Sequence, residues 1–327
     1  MIDLSKNENT CNTLDIKEII NSIEFNKYSF DKNYKLLDGL ANFYNLKSDN
    51  FVLGNGSSNV IYMSLLTFYK YSNSNVHLIS PLPTFDLTLY YAKNIGYSID
   101  GFYLDSEFNF DINKIKIIPN KINIIYIVNP NNPTGLMLSK KDLNELNSIC
   151  KDNVYMLLDE AYCEFADDFY SLEFAKNPNI LHIRTFSKMY SLAGLRVGYG
   201  IAHNKLITIL KDFFSPDAIN AFALECAIFA LKQNNFVKTT RKIINDNKAL
   251  LENEFETLNI KYFKSHTNFI LHEIKSTKYA DFMKECGIIV GRAIDNYPLL
   301  NRISIGNIKQ LKEFTKALRL AKNHNLV

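Results

Sequence analysis

The run from Ile122 to Val128 is apolar at every position except Asn123 and is dominated by isoleucine and valine. It is short for a buried helix and lacks the alternation of a strand with one wet face. It therefore reads as a strand covered on both sides. Strands of that kind lie inside parallel sheets with helices above and below, which restricts the chain to an α/β arrangement. The surrounding sequence agrees. Phe51 to Leu53 reads as a short strand, followed by Gly54-Asn-Gly-Ser-Ser58 and a helical run from Ser58 to Lys70. Val76 to Ser80 reads as a strand and Thr84 to Lys93 as a helix. Ser139, with Asp142 three residues on, marks a helix start that carries to about Cys150. Val154 to Leu158 and Ile180 to Thr185 are two further strands. This alternation predicts a mostly parallel sheet covered by helices.

Beyond Ser215 the character changes. Ala218 to Lys232 reads as a helix rich in small apolar residues, and Phe236 to Leu258 as a long amphipathic one. Short strands follow around Asn268 to His272, Ile288 to Val290 and Arg302 to Ile305, then a terminal helix from Lys309 to Lys322. The pattern predicts a smaller α+β domain hung on a long helix, with the extreme N-terminus packed against it. The expected division is residues 25–235 for the large domain, and 1–24 with 236–327 for the small one.

Length and composition limit the partners. The 327 residues, 47% hydrophobic and 22% charged, suit a soluble globular protein of two domains. A net charge of +3 supplies no basic stripe for nucleic acid. No apolar run approaches the ~18 residues that span a bilayer. The opening Met-Ile-Asp-Leu-Ser-Lys lacks the charged and apolar regions of a signal peptide, so a cytoplasmic location is expected. The five cysteines show no metal spacing and read as reduced thiols. The six histidines share no His-x-His or His-Glu-x-x-His spacing, so no metal is assigned.

Three segments stand at the carboxyl ends of successive expected strands: Asn129-Pro-Asn-Asn-Pro-Thr-Gly135, Asp159-Glu-Ala-Tyr162, and Thr185-Phe-Ser-Lys188 running on to Gly194-Leu-Arg-Val-Gly198. Ligands of open α/β sheets bind beyond those ends, so segments far apart in sequence are expected to meet at one edge. Their joint order resembles fold-type I pyridoxal-5′-phosphate (PLP) enzymes of the aspartate aminotransferase superfamily. Within it the resemblance is to the histidinol-phosphate aminotransferase group and its decarboxylase relatives. It extends from Asn7-Glu-Asn9 to Arg302.

The resemblance implies a role for each matching position. Lys188 forms the Schiff base and, once released by substrate, moves the proton between Cα and C4′. Free lysine, with a pKa of ~10.4, is a poor nucleophile at neutral pH, and burial beside cations frees the amine. Asp159 keeps the pyridine nitrogen protonated, which PLP needs to act as an electron sink. Tyr162 and Asn132 hydrogen-bond the phenolic oxygen, and Phe85 stacks on the ring. Gly56, Ser57 and Ser58 offer free N–H groups at a helix start and, with Thr185, Ser187 and Arg196, form a phosphate cup. Tyr28 reaches the phosphate of a neighbouring subunit, which implies a homodimer with composite sites.

On the substrate side, Arg302 matches the arginine that grips the donor's α-carboxylate, for which a planar fork is suited. Arg292 lies near an arginine that contacts a distal phosphate or carboxylate, in a segment that is shifted and shortened. Asn7 and Asn9 match the arm covering the substrate. The implied activity is transfer of an amino group from a donor such as glutamate to a small phosphorylated carbonyl compound. Decarboxylation of a phosphorylated amino acid is the alternative, since both reactions use every PLP contact. They differ in which Cα bond stands perpendicular to the ring, and an arginine holding the carboxylate in plane favours transfer. A non-catalytic PLP-sensing domain is a third reading, opposed by the intact Lys188.

Overall fold

The computed structural model describes residues 1–215 and 217–327. In chain order the first half contributes β1 (Ile2–Asp3), α1 (Phe30–Tyr44), β2 (Phe51–Gly54), α2 (Ser57–Tyr71), β3 (Val76–Leu82), α3 (Leu87–Ile95), β4 (Ser98–Tyr103), β5 (Ile122–Val128), α4 (Lys140–Ile149) and β6 (Val154–Asp159). There follow β7 (Ile180–Thr185), β8 (Gly198–Ile201), α5 (Asn204–Leu210), α6 (Ala221–Leu231), the long α7 (Phe236–Thr257), β9 (Tyr262–Phe263), β10 (Phe269–Glu273), α8 (Tyr279–Glu285), β11 (Ile288–Ile289), β12 (Leu300–Ser304) and α9 (Ile308–Asn323).

Seven strands form the central sheet in the order β2-β8-β7-β6-β5-β3-β4. All neighbouring pairs are parallel except those made by β8, which runs antiparallel to both β2 and β7. β5 lies in the interior with every residue after Ile122 buried, as its continuous apolar run requires. Helix α4 starts where the sequence places it. The Ser139 hydroxyl accepts the Asp142 N–H at 3.1 Å, and the Asp142 carboxylate accepts the Ser139 N–H at 3.1 Å.

Several features depart from the sequence reading, two of them in the central sheet and its edge. The helix expected from Thr84 begins only at Leu87, leaving Phe85 in the loop before it. Asp86 stands at its N-cap without a capping hydrogen bond, because its carboxylate is taken by Arg292. Strands β4 and β8 were not anticipated. β4 alternates half-buried and exposed residues at the sheet edge, and β8 is the glycine-rich Gly-Tyr-Gly-Ile.

In the C-terminal part β12, β10 and β9 form an antiparallel three-stranded sheet. The N-terminus joins this part, since β1 pairs in parallel with β11, Ile2 opposite Ile288. One hydrophobic cluster runs through both regions, from Phe51 and Phe186 through Ala223 and Leu251 to Phe269 and Phe314. Among the described residues no helix is long and apolar enough to cross a membrane.

Candidate active site

The carboxyl ends of β3, β5, β6 and β7 open into one cavity of about 470 Å³. That size suits a small cofactor with its substrate. Ser57, Ser58, Phe85, Asn132, Asp159, Tyr162, Thr185, Lys188, Arg196, Asn7, Arg292 and Arg302 all line it. The three strand-end motifs therefore meet, as the sheet topology dictates.

Asp159 and Glu160 are successive residues at the end of β6, and their side chains face different surroundings. Both are buried. Glu160 accepts from Arg184 Nε at 2.9 Å and lies 3.2 Å from His182 Nδ1. Burial alone would raise its pKa, but these two partners outweigh it and hold the carboxyl at about 2. Asp159 accepts the Ala161 N–H and the Tyr126 hydroxyl, each at 3.1 Å. Among the described residues no ion pair neutralises it, and burial pushes its pKa up to about 6. A buried carboxyl that forms no ion pair among the described residues fits a ligand that brings its own positive charge.

The start of α2 also lines the cavity. Helix α2 starts at Ser57 behind Gly56, which has φ +83° and supplies no side-chain cap. The first-turn N–H groups of such a helix favour an anion. A Cβ on Gly56 would collide with the Arg196 guanidinium, and one on Gly198 would collide with the Ser57 backbone nitrogen. Both positions thus need glycine for the helix end, the arginine and β8 to approach one another. Register brings Gly54, Gly198 and Thr185 into one row across the sheet. Arg196 NH1 donates to the Ser187 hydroxyl at 3.4 Å and to the Ala193 carbonyl at 3.0 Å. The Thr185 hydroxyl accepts the Ser187 N–H at 3.1 Å.

Lys188 Nζ donates to the carbonyls of Lys6 and Asn7 at 3.1 and 3.3 Å, and lies 5.6 Å from the Tyr162 ring centre. Arg302 NH1 donates to Asn132 Oδ1 at 2.6 Å, and NH2 to the Ser5 carbonyl. The guanidinium lies 5.4 Å from the Phe269 ring centre. Burial lowers its pKa, and among the described residues no carboxylate pairs with it. Arg292 is exposed at the cavity rim and pairs with Asp86.

The aminotransferase class I and II family model matches residues 1–318. The chain belongs to that family. It is a PLP-dependent aminotransferase of fold type I. Histidinol-phosphate aminotransferase 2 of Legionella pneumophila (strain Lens) is 31% identical to this aminotransferase, over 98% of this chain and 89% of its own. The histidinol-phosphate aminotransferase of Clostridium acetobutylicum superposes with a TM-score of 0.88 at 26% identity, covering 99% of this chain and 100% of its own. L-threonine-O-3-phosphate decarboxylase of Porphyromonas gingivalis shares the fold, with a TM-score of 0.80 at 20% identity over 98% of this chain and 99% of its own.

Four expected contributors are not in the lining of the cavity: Gly56 and Ser187 stand just behind it beside Ser57 and Arg196, and Asn9 and Tyr28 lie elsewhere. Tyr28 is 85% exposed, outside the cavity of its own chain, and its ring lies 5.5 Å from that of Phe30. Asn9 is buried outside the cavity lining, donating to the Met189 carbonyl at 3.0 Å and accepting the Cys11 N–H at 3.1 Å. Conversely, Lys6, Tyr103, Asp86, Asp295 and Asn296 line the cavity without having been singled out. Asp86 was within reach of sequence reasoning, since it directly follows Phe85. The others carry no local motif.

Proposed function

We propose that this aminotransferase takes an amino group from an amino acid such as glutamate and delivers it to a small phosphorylated carbonyl compound, as its histidinol-phosphate relatives' names suggest. The observation that carries the reading is the pairing of opposite needs in one cavity. Asp159 is a buried carboxyl and Arg302 a largely buried guanidinium, and among the described residues neither forms an ion pair. PLP and an α-amino acid supply what each lacks.

Bound there, PLP provides the electron sink that receives the charge left at the substrate's Cα. Asp159 keeps the pyridine nitrogen protonated. Lys188 would carry the cofactor, and its Nζ would serve as the base that takes and returns the substrate's Cα proton. Tyr162 and Asn132 hydrogen-bond the phenolic oxygen, while Phe85 covers the ring. The first turn of α2 after Gly56, at Ser57 and Ser58, receives the phosphate together with Thr185, Ser187 and Arg196. Arg302 would hold the donor's carboxylate through its planar fork and so orient the substrate in the cavity. Arg292 meets the distal anion, and Asn7 closes over the site with the arm that Asn9 anchors. Tyr28 of each subunit reaches its neighbour's phosphate, so the working unit is a homodimer. Residues 25–235 form the large domain, and 1–24 with 236–327 the small one.

The test is a half-reaction screen. The holoenzyme is mixed with candidate amino donors, then with phosphorylated carbonyl acceptors including the histidinol-phosphate partner, and the cofactor's spectrum is followed. Conversion to the pyridoxamine form by glutamate, reversed by a phosphorylated acceptor, is the expected result. Carbon dioxide released from a phosphorylated amino acid, with no pyridoxamine form, would overturn it in favour of decarboxylation.

A further inference from the structure

The N-terminal arm enters the cavity at Asn7, and every polar group of that residue is engaged. Asn7 is buried with φ +55°, in the left-handed region that asparagine tolerates better than most residues. Its backbone N–H donates to Ser304 Oγ at 2.8 Å. Its carbonyl accepts from Asn268 Nδ2 at 3.1 Å and from Lys188 Nζ at 3.3 Å. Its side-chain Oδ1 accepts from Ser304 Oγ at 3.2 Å, and its Nδ2 donates to the Tyr162 hydroxyl at 3.1 Å. Asn7 and Ser304 are both buried, so water competes little for the bonds between them.

The bonds fix a direction. A serine hydroxyl has one proton to give. That of Ser304 accepts the Asn7 N–H and gives its proton to Asn7 Oδ1. Turned over, the amide would offer Ser304 a second donor and leave the serine proton without an acceptor, so the orientation with Nδ2 toward Tyr162 is the one that satisfies every group. The tyrosine oxygen therefore accepts on that side, leaving its own proton for the cavity it lines.

We propose that Ser304 is a positioning residue for the reaction. Through Asn7 it compels Tyr162 to donate toward the cavity, so the bond from Tyr162 to the cofactor's phenolic oxygen has one fixed polarity. The proposal rests on the PLP reading above. Arg302 and Ser304 are two residues apart on β12, so they share a face of that strand. The strand bearing the carboxylate-binding arginine thus also sets the hydrogen bonding of the cofactor wall.

The test reads the pH midpoint of the bound cofactor's visible absorbance change. Borohydride labelling of Lys188 first shows that the cofactor is in place, so a failure of the PLP reading is seen separately. A donor at the phenolic oxygen stabilises the form that has lost its proton, and weakening that donor raises the midpoint. Ser304→Ala is expected to raise it by about one pH unit, the scale of one hydrogen bond to a charged group. Ser304→Thr restores the wild-type value, and Ser304→Ala adds nothing in a Tyr162→Phe background. An unshifted midpoint in Ser304→Ala, or the same shift with Tyr162 already removed, overturns the proposal. Should Ser304→Ala fail to hold the cofactor, Asn7→Asp provides the second reading. It offers Tyr162 an acceptor that draws the proton away from the cavity. A midpoint unchanged in that variant likewise overturns the proposal.

Discussion

Arg302 and Asn132 meet at the cavity, NH1 donating to Oδ1 at 2.6 Å. One residue belongs to β12 and the other to the loop after β5, so the contact ties the C-terminal sheet to the carboxyl edge of the central one. Because Asn132 Oδ1 is engaged, its Nδ2 remains as the group free to donate toward a cofactor oxygen. The arginine thereby serves two ends at once, positioning Asn132 and offering its remaining donors to a carboxylate.

Replacing Arg302 by alanine removes a charge-assisted partner from a largely buried site. Such a loss typically costs ~2–5 kcal/mol, or roughly 30-fold to several thousand-fold in binding. Steady-state kinetics with glutamate as donor should show this, while cofactor occupancy measured by absorbance is largely retained, since Asn132 is one of several cofactor contacts and Lys188 is untouched.

Borohydride reduction of the yellow holoenzyme should fix the cofactor on one lysine, and mass spectrometry should place it on Lys188. Lys188→Ala should keep the fold yet lose turnover by several orders of magnitude. An adduct on another lysine would reassign the site.

The pH dependence of stability follows from Asp159. Its folded-state pKa, about 6, exceeds the ordinary 3.8 because of burial. The folded protein then binds the proton more tightly than the unfolded chain does. The resulting stabilisation is complete below pH 3.8 and is lost as pH rises through about 6, on the order of 3 kcal/mol. A cationic pyridine nitrogen offsets that loss. Melting curves should therefore show the gap between holoenzyme and cofactor-free protein widening as pH rises from about 4 to about 7. In Asp159→Asn the widening should disappear.

Arg292 and Asp86 form an ion pair that is 77% and 51% exposed at its side chains, and such pairs contribute at most ~1 kcal/mol. A substrate's distal anion competes with Asp86 for the arginine. Asp86→Asn should lower the KM for a phosphorylated substrate by no more than about fivefold and leave an unphosphorylated analogue unchanged. Arg292→Ala should make the two nearly equivalent. A like effect on both compounds would remove Arg292 from distal recognition.

If Tyr28 completes a neighbour's site, mixing Tyr28→Phe protomers with Lys188→Ala protomers should yield hybrids with one unaltered site and partial recovery of activity. Sedimentation of an active monomer at working concentration would rule out the cross-subunit role.

Sequence alone determined the parallel sheet and the motifs at its edge, because both are local. A run such as Ile122–Val128 can be dry on both faces only in the middle of a covered sheet, and strand-end motifs are carried to one edge by the direction of their strands. Asp159, Lys188 and Arg196 were singled out through the family resemblance that those motifs carry, and the fold brings all three to one cavity. Tertiary structure decided what these residues face. Asp159 and Glu160 are adjacent carboxylates, yet one is pushed to about 6 and the other held at about 2. Which of them meets Arg184 depends on the strand's pleat and on the neighbouring strand. Asn7 and Ser304, 297 positions apart, meet only because the arm runs beside the C-terminal sheet. Gly198 must lack a side chain only because the start of α2 lies against it. Spacing along a chain governs helices, strands and turns, whereas the charge and hydrogen bonding of a buried group are set by whatever the fold packs around it.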